Sequence, residues 1–289
     1  MSQYFPFDPN TRKPSFSPPN KSCDCQFHVF GSHEKYPVRP NAAYEMPTAT
    51  FAEAMKMHRT LGIERGIIVQ PTTYGTDHQA LLDALAQAGS NYKGCAIAAV
   101  LSDSSDAYIL KLHEAGVRGA RFNFLKQVNL LPSAEAVARS AARLRELGWY
   151  MKIQPPSEGV FDIIPLLESL TVPVVIDHMG RPNLSEGTGG PTPTKIIELL
   201  RKGNFWLMLS NGYKLSKTGP PWSDVVPFAR AFIDAAPDRV LWATDWPHPL
   251  SAKQPPNDAD VLDLLYRCTS SDAERQKILV DNPAALFGF

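Results

Sequence analysis

The chain has 289 residues, of which 44% are hydrophobic and 20% are charged, and such proportions are those of a globular protein with a large core. Lys and Arg together number 29, as do Asp and Glu, so the chain has no basic footprint for nucleic acid or an anionic membrane surface. No stretch approaches the ~20 apolar residues of a membrane span, and residues 1–22 lack the apolar run of a secretory signal.

The four cysteines show neither the spacing of a metal knuckle nor that of a disulfide framework. Cys23 and Cys25 alternate on a predicted strand, which indicates buried free thiols. We therefore expect a cytoplasmic protein, because a reducing compartment keeps such thiols unpaired.

Residues 1–22 are rich in Pro, Ser and Asn and predict an N-terminal arm, ordered only where it wraps around the body. Residues 23–289 predict one domain in which short apolar strands alternate with helices. The strands are expected at residues 23–30, 66–70, 94–100, 117–122, 149–154, 172–177, 205–209 and 240–243. The helices are expected at residues 50–61, 77–87, 105–115, 134–147, 161–170, 194–202, 225–235, 259–269 and 271–280. The run at residues 187–193 is expected to be a loop, either a mobile lid or a tolerated insertion.

Eight strand–helix units in this length predict an α/β fold, a (β/α)8 TIM barrel of the metal-dependent-hydrolase type. A doubly wound open sheet is the alternative. No Gly-x-Gly-x-x-Gly follows the first strand, so the barrel is favoured.

Asp245 is the first candidate catalytic residue. The strand that precedes it must end near Trp246, because Pro247 cannot donate to a sheet ladder. A carboxylate at a strand end between Trp242 and Trp246 is partly desolvated, which is expected to raise its pKa and to suit a general base. The alternative is a turn or helix-capping Asp.

The other strand ends supply partners, because a barrel places its active site at the carboxyl ends of its strands. Gln26 and His28 are two apart on the first strand and share one side. The remaining polar residues follow the later strands: Gln70, Thr72, Tyr74, Arg121, Asn123, Gln154, Asp177, His178, Ser210, Asn211, Tyr213, Lys214 and His248. Tyr44 lies in the long loop of residues 31–47.

Several motifs resemble those of the amidohydrolase superfamily, and more closely the branch of 2-pyrone-4,6-dicarboxylate lactonase and related sugar-lactone hydrolases and isomerases. They are Phe27-His28-Val29-Phe30-Gly31, the run at residues 116–124, Asp177-His178-Met179-Gly180-Arg181-Pro182, Gly219-Pro220-Pro221-Trp222, Thr244-Asp245-Trp246-Pro247-His248-Pro249, and Asn282-Pro283-Ala284-Ala285-Leu286-Phe287. The resemblance runs from about Cys23 to the end. It implies a barrel enzyme that acts on a small lactone or carboxylate.

The chain departs from the superfamily's His-x-His signature, because its first strand reads Gln26-Phe27-His28. Gln is a poor ligand for Zn²⁺. The resemblance to the pyrone lactonase implies a site without a metal cofactor. One Zn²⁺ on His28, His178 and Asp245 is the alternative.

The chain also departs from the branch in the residues expected to bind acidic groups. Arg121 matches one arginine of the pyrone lactonase, whereas Gln127 and Lys214 stand where two others are expected and Gln154 replaces a tyrosine. An amide cannot bind a carboxylate as an arginine fork does. We therefore expect a less anionic, more hydroxylated ligand, such as a monocarboxylated sugar lactone.

These observations favour a lactone hydrolase in which Asp245 takes a proton from water while His178 and His28 stabilise the oxyanion. The predicted substrate-binding residues are Arg121, Lys214, Gln26, Gln70, Asn123, Gln154, Tyr44, Thr72, Tyr74, Arg181 and His248. A sugar-diacid lactone isomerase, a metal-dependent non-oxidative decarboxylase and a non-catalytic binding barrel are the alternatives. The predicted partner is a small molecule rather than a nucleic acid or a membrane, and the protein is expected to be a monomer or a homodimer.

Overall fold

A computed structural model describes residues 4–128, 131–157, 159–160 and 163–289. Eight parallel strands are hydrogen-bonded in sequence order, so the predicted (β/α)8 barrel is confirmed. The strands are β1 Cys23–Phe27, β2 Arg65–Val69, β3 Tyr92–Ile97, β4 Val117–Asn123, β5 Tyr150–Gln154, β6 Val174–Ile176, β7 Phe205–Leu209 and β8 Val240–Trp242.

The barrel closes between β8 and β1 through the residues at and beyond the ends of these strands. The Asp245 N–H donates to the Gln26 carbonyl at 3.0 Å, and the His28 N–H donates to the Trp246 carbonyl at 2.7 Å. Closure therefore brings Asp245 beside Gln26 and His28, although more than 200 residues separate them along the chain.

Helices link the strands and follow β8, and the longer ones pack their apolar faces against the barrel wall. They are α1 Phe51–Leu61, α2 Gln79–Ala88, α3 Val100–Asp103, α4 Asp106–Glu114, α5 Ala134–Leu147, α6 Ile164–Glu168, α7 Pro191–Arg201, α8 Gly212–Leu215, α9 Val226–Ala235, α10 Asp258–Cys268, α11 Asp272–Gln276 and α12 Asn282–Phe287. Thr50 caps α1 in a capping box with Glu53.

Three helix predictions need correction. The predicted loop at residues 187–193 ends early, because proline is tolerated in the first turn of a helix and α7 begins at Pro191. The predicted helix 271–280 is divided, with a π-helical segment Lys277–Asp281 between α11 and α12. The predicted helix 161–170 is observed as Ile164–Glu168, and residues 161–162 lie outside the described residues.

The barrel interior is filled by its own buried cluster, to which Cys23, Cys25 and Cys95 contribute. These thiols and that of Cys268 are buried and free, as predicted. Lys152 is also fully buried on β5, which is unusual for a lysine and needs a partner in the interior.

The N-terminal arm from residue 4 to residue 22 packs along the last strand–helix unit. The Phe5 N–H donates to the Ser251 carbonyl at 3.1 Å, and the Phe7 ring lies 4.7 Å from that of Trp246. Farther along the arm, Phe16 packs on Tyr266 of α10. Throughout the described part of the chain, no helix combines the length and apolar character needed to cross a bilayer.

Candidate active site

Asp245 lies three residues after the end of β8, in a left-handed backbone conformation with φ of 60°. Its carboxylate accepts hydrogen bonds from Gln26 Nε2 at 2.6 Å and Asn211 Nδ2 at 2.8 Å. His28 Nε2 lies 3.3 Å from Oδ1, and Lys214 Nζ lies 3.8 Å from Oδ2. Four side chains, two from the end of β1 and the residue after it and two from the segment after β7, therefore hold this carboxylate.

The pKa of Asp245 differs from the sequence prediction. Burial by itself raises the pKa, but the imidazoles of His178 and His28 and the ammonium of Lys214 outweigh burial and hold the pKa well below its usual range. The prediction of a raised pKa was wrong, because a strand end near tryptophans does not reveal which donors face the carboxylate. Asp245 is ionised at neutral pH.

His178 follows β6 and is neutral at neutral pH. Burial is the main cause that lowers its pKa to about 3; the carboxylates of Asp245 and Asp177 oppose this shift, and the positive charges of Arg121 and Arg181 add to it. Nδ1 receives hydrogen bonds from the Ser210 hydroxyl at 2.8 Å and from Asn211 Nδ2 at 3.0 Å. The ring proton therefore resides on Nε2, which lies 2.9 Å from a carbonyl oxygen of Gln154 that can only accept.

His28 is oriented by the backbone of the neighbouring strand. The Val69 carbonyl can only accept, so the contact of 2.7 Å fixes a proton on Nδ1 of His28. Nε2 is thereby directed towards the Asp245 carboxylate. Nε2 of His28 consequently faces Asp245, and Nε2 of His178 faces Gln154 and Arg121.

Arg121 is placed by a buried ion cluster beneath the site. Its Nε donates to Asp177 Oδ2 at 3.0 Å, and its Nη2 donates to Gln154 Oε1. The other oxygen of Asp177 lies 2.7 Å from Lys152 Nζ. Burial raises the pKa of Asp177, yet Lys152 and Arg121 outweigh burial and lower it.

A cavity of about 410 Å³ opens at this end of the barrel, and most of the predicted site residues line it. Those residues are His28, Tyr44, Thr72, Arg121, Asn123, Gln154, His178, Arg181, Lys214 and Asp245. Tyr44 and Thr72 are joined by a hydrogen bond of 3.1 Å between their hydroxyls. Ten of the residues predicted from the sequence therefore line one cavity.

Four predicted residues do not line this cavity. The side-chain amide of Gln26 donates to Asp245 instead of lining the cavity. Gln70 donates to the backbone carbonyls of Gly75 and Asp77 and so stabilises the loop after β2. Tyr74 is buried, and burial raises its pKa to about 12.

His248 is the fourth such residue. It is fully buried between Asp258 Oδ1 at 3.2 Å and the Tyr213 hydroxyl at 3.1 Å. The structure therefore gives His248, like Gln70 and Tyr74, a structural environment instead of the predicted contact with substrate.

Two polar residues after β7 do more than the sequence indicated. Asn211 contacts both Asp245 and His178, and Ser210 fixes the tautomer of His178. Their position after a strand end marked them as candidates, but no local signal showed which side chain they would meet. Lys152 was missed altogether, because the charged residue lies inside the strand and not at its end.

The residues of this site do not fit a metal ion. Nε2 of His178 carries its proton and lies 3.5 Å from the guanidinium of Arg121, so it offers no lone pair and faces a cation. The oxygens of Asp245 accept from Gln26 and Asn211. Among the residues that the structure describes, no group of three or more His, Cys, Asp or Glu side chains is arranged to hold a metal.

Comparison with known proteins agrees with this geometry. A family model described as amidohydrolase matches residues 23–289. The chain is 35% identical to a 2-pyrone-4,6-dicarboxylate hydrolase of Comamonas testosteroni, over 96% of this chain and 93% of that protein. It is 35% identical to a 4-sulfomuconolactone hydrolase of Hydrogenophaga intermedia, over 94% of this chain and 90% of the relative.

A D-galactarolactone isomerase of Agrobacterium fabrum is 29% identical, over 93% of this chain and 91% of the relative. The resemblance predicted from the motifs is confirmed. The chain belongs to the amidohydrolase family and is an enzyme.

Proposed function

We propose that this enzyme opens the ring of a small carboxylated lactone by adding water, without a metal ion. The observation that carries the proposal is the meeting of an ionised Asp245, the imidazoles of His28 and His178, and the cations Arg121 and Lys214 around one cavity. This set contains a base, donors for an oxyanion and groups that bind an acid.

In the proposed reaction, Asp245 accepts a proton from a water molecule as the water oxygen forms a bond to the lactone carbonyl carbon. The electron pair of the carbonyl double bond moves to its oxygen. When that oxyanion collapses, the bond to the ring oxygen breaks, and the ring oxygen takes the proton held by Asp245. The products are a hydroxyl group and a carboxylic acid in one open chain.

The low pKa of Asp245 makes it a weak base, so the oxyanion must be stabilised as it forms. His178 presents Nε2–H to the cavity, whereas Nε2 of His28 faces Asp245 and donates only when both ring nitrogens of His28 carry a proton. In the free enzyme the His178 proton faces Gln154 Oε1, and a substrate carbonyl that replaces this acceptor receives the same proton.

Arg121, Arg181 and Lys214 are proposed to bind the acidic group of the substrate, while Tyr44, Thr72 and Asn123 bound the rest of the cavity. The relatives named for 2-pyrone-4,6-dicarboxylate and 4-sulfomuconolactone support an acidic lactone. Gln154 next to Arg121 supports a ligand with fewer acidic groups and more hydroxyls.

The test is the substitution Asp245→Asn, assayed on a panel of carboxylated and sugar-derived lactones. We expect kcat to fall by about 100- to 10,000-fold, the range that a positioned general base contributes, with ligand binding retained. Asp272→Asn, on a side chain that is 99% exposed, is the matched control and should keep full activity. Unchanged turnover in Asp245→Asn would refute the assignment.

A lactone isomerase is the second candidate, favoured by the similarity to the D-galactarolactone isomerase. In that reaction Asp245 would take the proton from a substrate hydroxyl, which then attacks in place of water. Proton NMR of a sugar-diacid lactone incubated with the enzyme separates the two, because isomerisation gives a new lactone and hydrolysis gives an open-chain acid.

A further inference from the structure

Lys152 is a fully buried lysine inside the barrel, and the proposed reaction does not use it. It lies on β5, two residues before Gln154, and its side chain is only 1% exposed. Its Nζ lies 2.7 Å from Asp177 Oδ1, and it does not line the cavity. A buried ammonium is costly unless an ion or hydrogen-bond partner offsets it, so this position needs an explanation.

The partner of Lys152 is shared with a second cation. Asp177 Oδ2 accepts from Arg121 Nε at 3.0 Å while Asp177 Oδ1 faces Lys152. Two cations around one carboxylate leave the three buried side chains with a net charge of +1. The nearby carboxylate of Asp245 does not neutralise this net charge of +1, because Lys214 and His28 already face that carboxylate.

Arg121 is the member of the three that reaches the cavity, so the excess positive charge is presented there. If Lys152 were neutral, Arg121 and Asp177 would form a neutral ion pair, and the guanidinium would have little net charge to offer a ligand. With Lys152 present, Asp177 is shared, and the charge of Arg121 remains available for an anion from outside.

We infer that Lys152 is a specificity-determining residue that acts through Asp177 and Arg121 to make the cavity selective for lactones with an acidic group. This inference rests on the proposed function. It assigns Lys152 no contact with the substrate, and its effect is on the binding of charge rather than on the bond-breaking step.

The test compares the binding of two isosteric probes by calorimetry. Isophthalate is a flat dianion without an ester to hydrolyse, and isophthalamide is its uncharged counterpart. In Lys152→Met we expect isophthalate to bind about tenfold more weakly. A change in affinity of this size is expected when one charge several ångströms from the ligand is removed from a partly screened site. Isophthalamide binding should change by less than about twofold, and the KM for a carboxylated lactone should rise with little change in kcat.

The double variant Lys152→Met with Asp177→Asn separates charge from packing. It restores the net charge of +1 on Arg121 alone, so binding of isophthalate should recover most of the loss. If Lys152 only supported packing, the double variant would be weaker than the single one for both probes, and that result would overturn the inference. Where Lys152→Met alone fails to fold, the double variant is compared directly with the unaltered enzyme, whose net charge of +1 it reproduces and whose isophthalate affinity it should approach.

Failure of the proposed function gives a different pattern. If no lactone is hydrolysed but isophthalate binding depends on Lys152 as described, the reaction is wrong and the charge assignment stands. If a carboxylated lactone is hydrolysed with the same KM by Lys152→Met and by the unaltered enzyme, the charge assignment is wrong and the reaction stands. If neither the acidic probe binds nor any lactone reacts, both are rejected.

Discussion

The side-chain amide of Gln26 donates a hydrogen bond of 2.6 Å to Oδ1 of Asp245. Gln26 occupies the first position of the strand-one signature, where the amidohydrolase superfamily is expected to place a metal-binding histidine. An amide donor stabilises the ionised carboxylate directly, so the charge of Asp245 is held by hydrogen bonds and cations of the protein itself.

Chelators should leave the activity unchanged. The prediction follows from the proton on Nε2 of His178 and from the guanidinium of Arg121 that lies 3.5 Å from that atom. We expect enzyme dialysed against EDTA to keep at least about 80% of its kcat/KM. A change of less than about twofold in kcat/KM corresponds to a negligible change in the activation free energy. Elemental analysis of the same sample is the companion measurement. Loss of activity that added Zn²⁺ restores would contradict the metal-free site.

Stability should fall as the pH drops below the ordinary histidine range. Burial lowers the pKa of His78 to about 4, and burial lowers that of His178 to about 3. The unfolded chain takes up these protons near pH ~6.5 while the native protein does not, so stability is complete above that pH and is lost as the pH falls towards 4 and 3.

The slope of the free energy of unfolding should reach about 1.4 kcal/mol per pH unit for each of these histidines. Urea unfolding between pH 7 and pH 4.5 measures it. His78→Gln keeps a donor for the Thr76 carbonyl and an acceptor for the Ile97 N–H. This variant should reduce the slope by about the 1.4 kcal/mol per pH unit that one histidine contributes. An equally steep slope in that variant would argue against a neutral buried His78.

Thr244 should matter for both stability and turnover. Its N–H and its hydroxyl donate to the two oxygens of Asp24, and its Oγ1 accepts from the Trp246 N–H at 3.0 Å. Thr244→Val leaves buried polar groups without partners, at a cost of about 2–3 kcal/mol in unfolding free energy. Because Asp245 is the next residue, kcat should fall as well.

Thr244→Ser is the matched control, since it keeps the hydroxyl and removes only a methyl group. Chemical denaturation and steady-state kinetics of both variants check the prediction. A loss in the serine variant without a loss in the valine variant, which keeps the methyl group, would show that packing of the methyl group, and not the Asp24 hydrogen bonds, governs this position.

The N-terminal arm should stabilise the barrel through Phe7. Its ring lies 4.7 Å from that of Trp246, next to Asp245, whereas the nearby Phe5 is 43% exposed. Phe7→Ala should cost about 1–2 kcal/mol of unfolding free energy, because its apolar contact is only partly buried. Phe5→Ala should stay within about 0.5 kcal/mol of the unaltered protein. Thermal unfolding compares the two, and similar effects would count against a specific role of Phe7.

The sequence by itself determined the order of the elements and the position of the chemistry along it. Helix α5 has the predicted bounds, Ala134–Leu147, because its amphipathic period and its caps are local signals. Asp245, His178 and His28 were placed at strand ends, and parallel strands bring their carboxyl ends to one rim. The fold and the location of the candidate site therefore followed from patterns that span a few residues.

Only the tertiary structure decided how the charges are balanced. The pKa of Asp245 is low because His178, His28 and Lys214 converge on it from distant parts of the chain, and a local pattern cannot show such distances. His248 does not line the predicted site for the same reason, because its side chain is buried against Asp258 in the interior. Electrostatic energies depend on separation in space and on burial, and both arise only when the barrel closes.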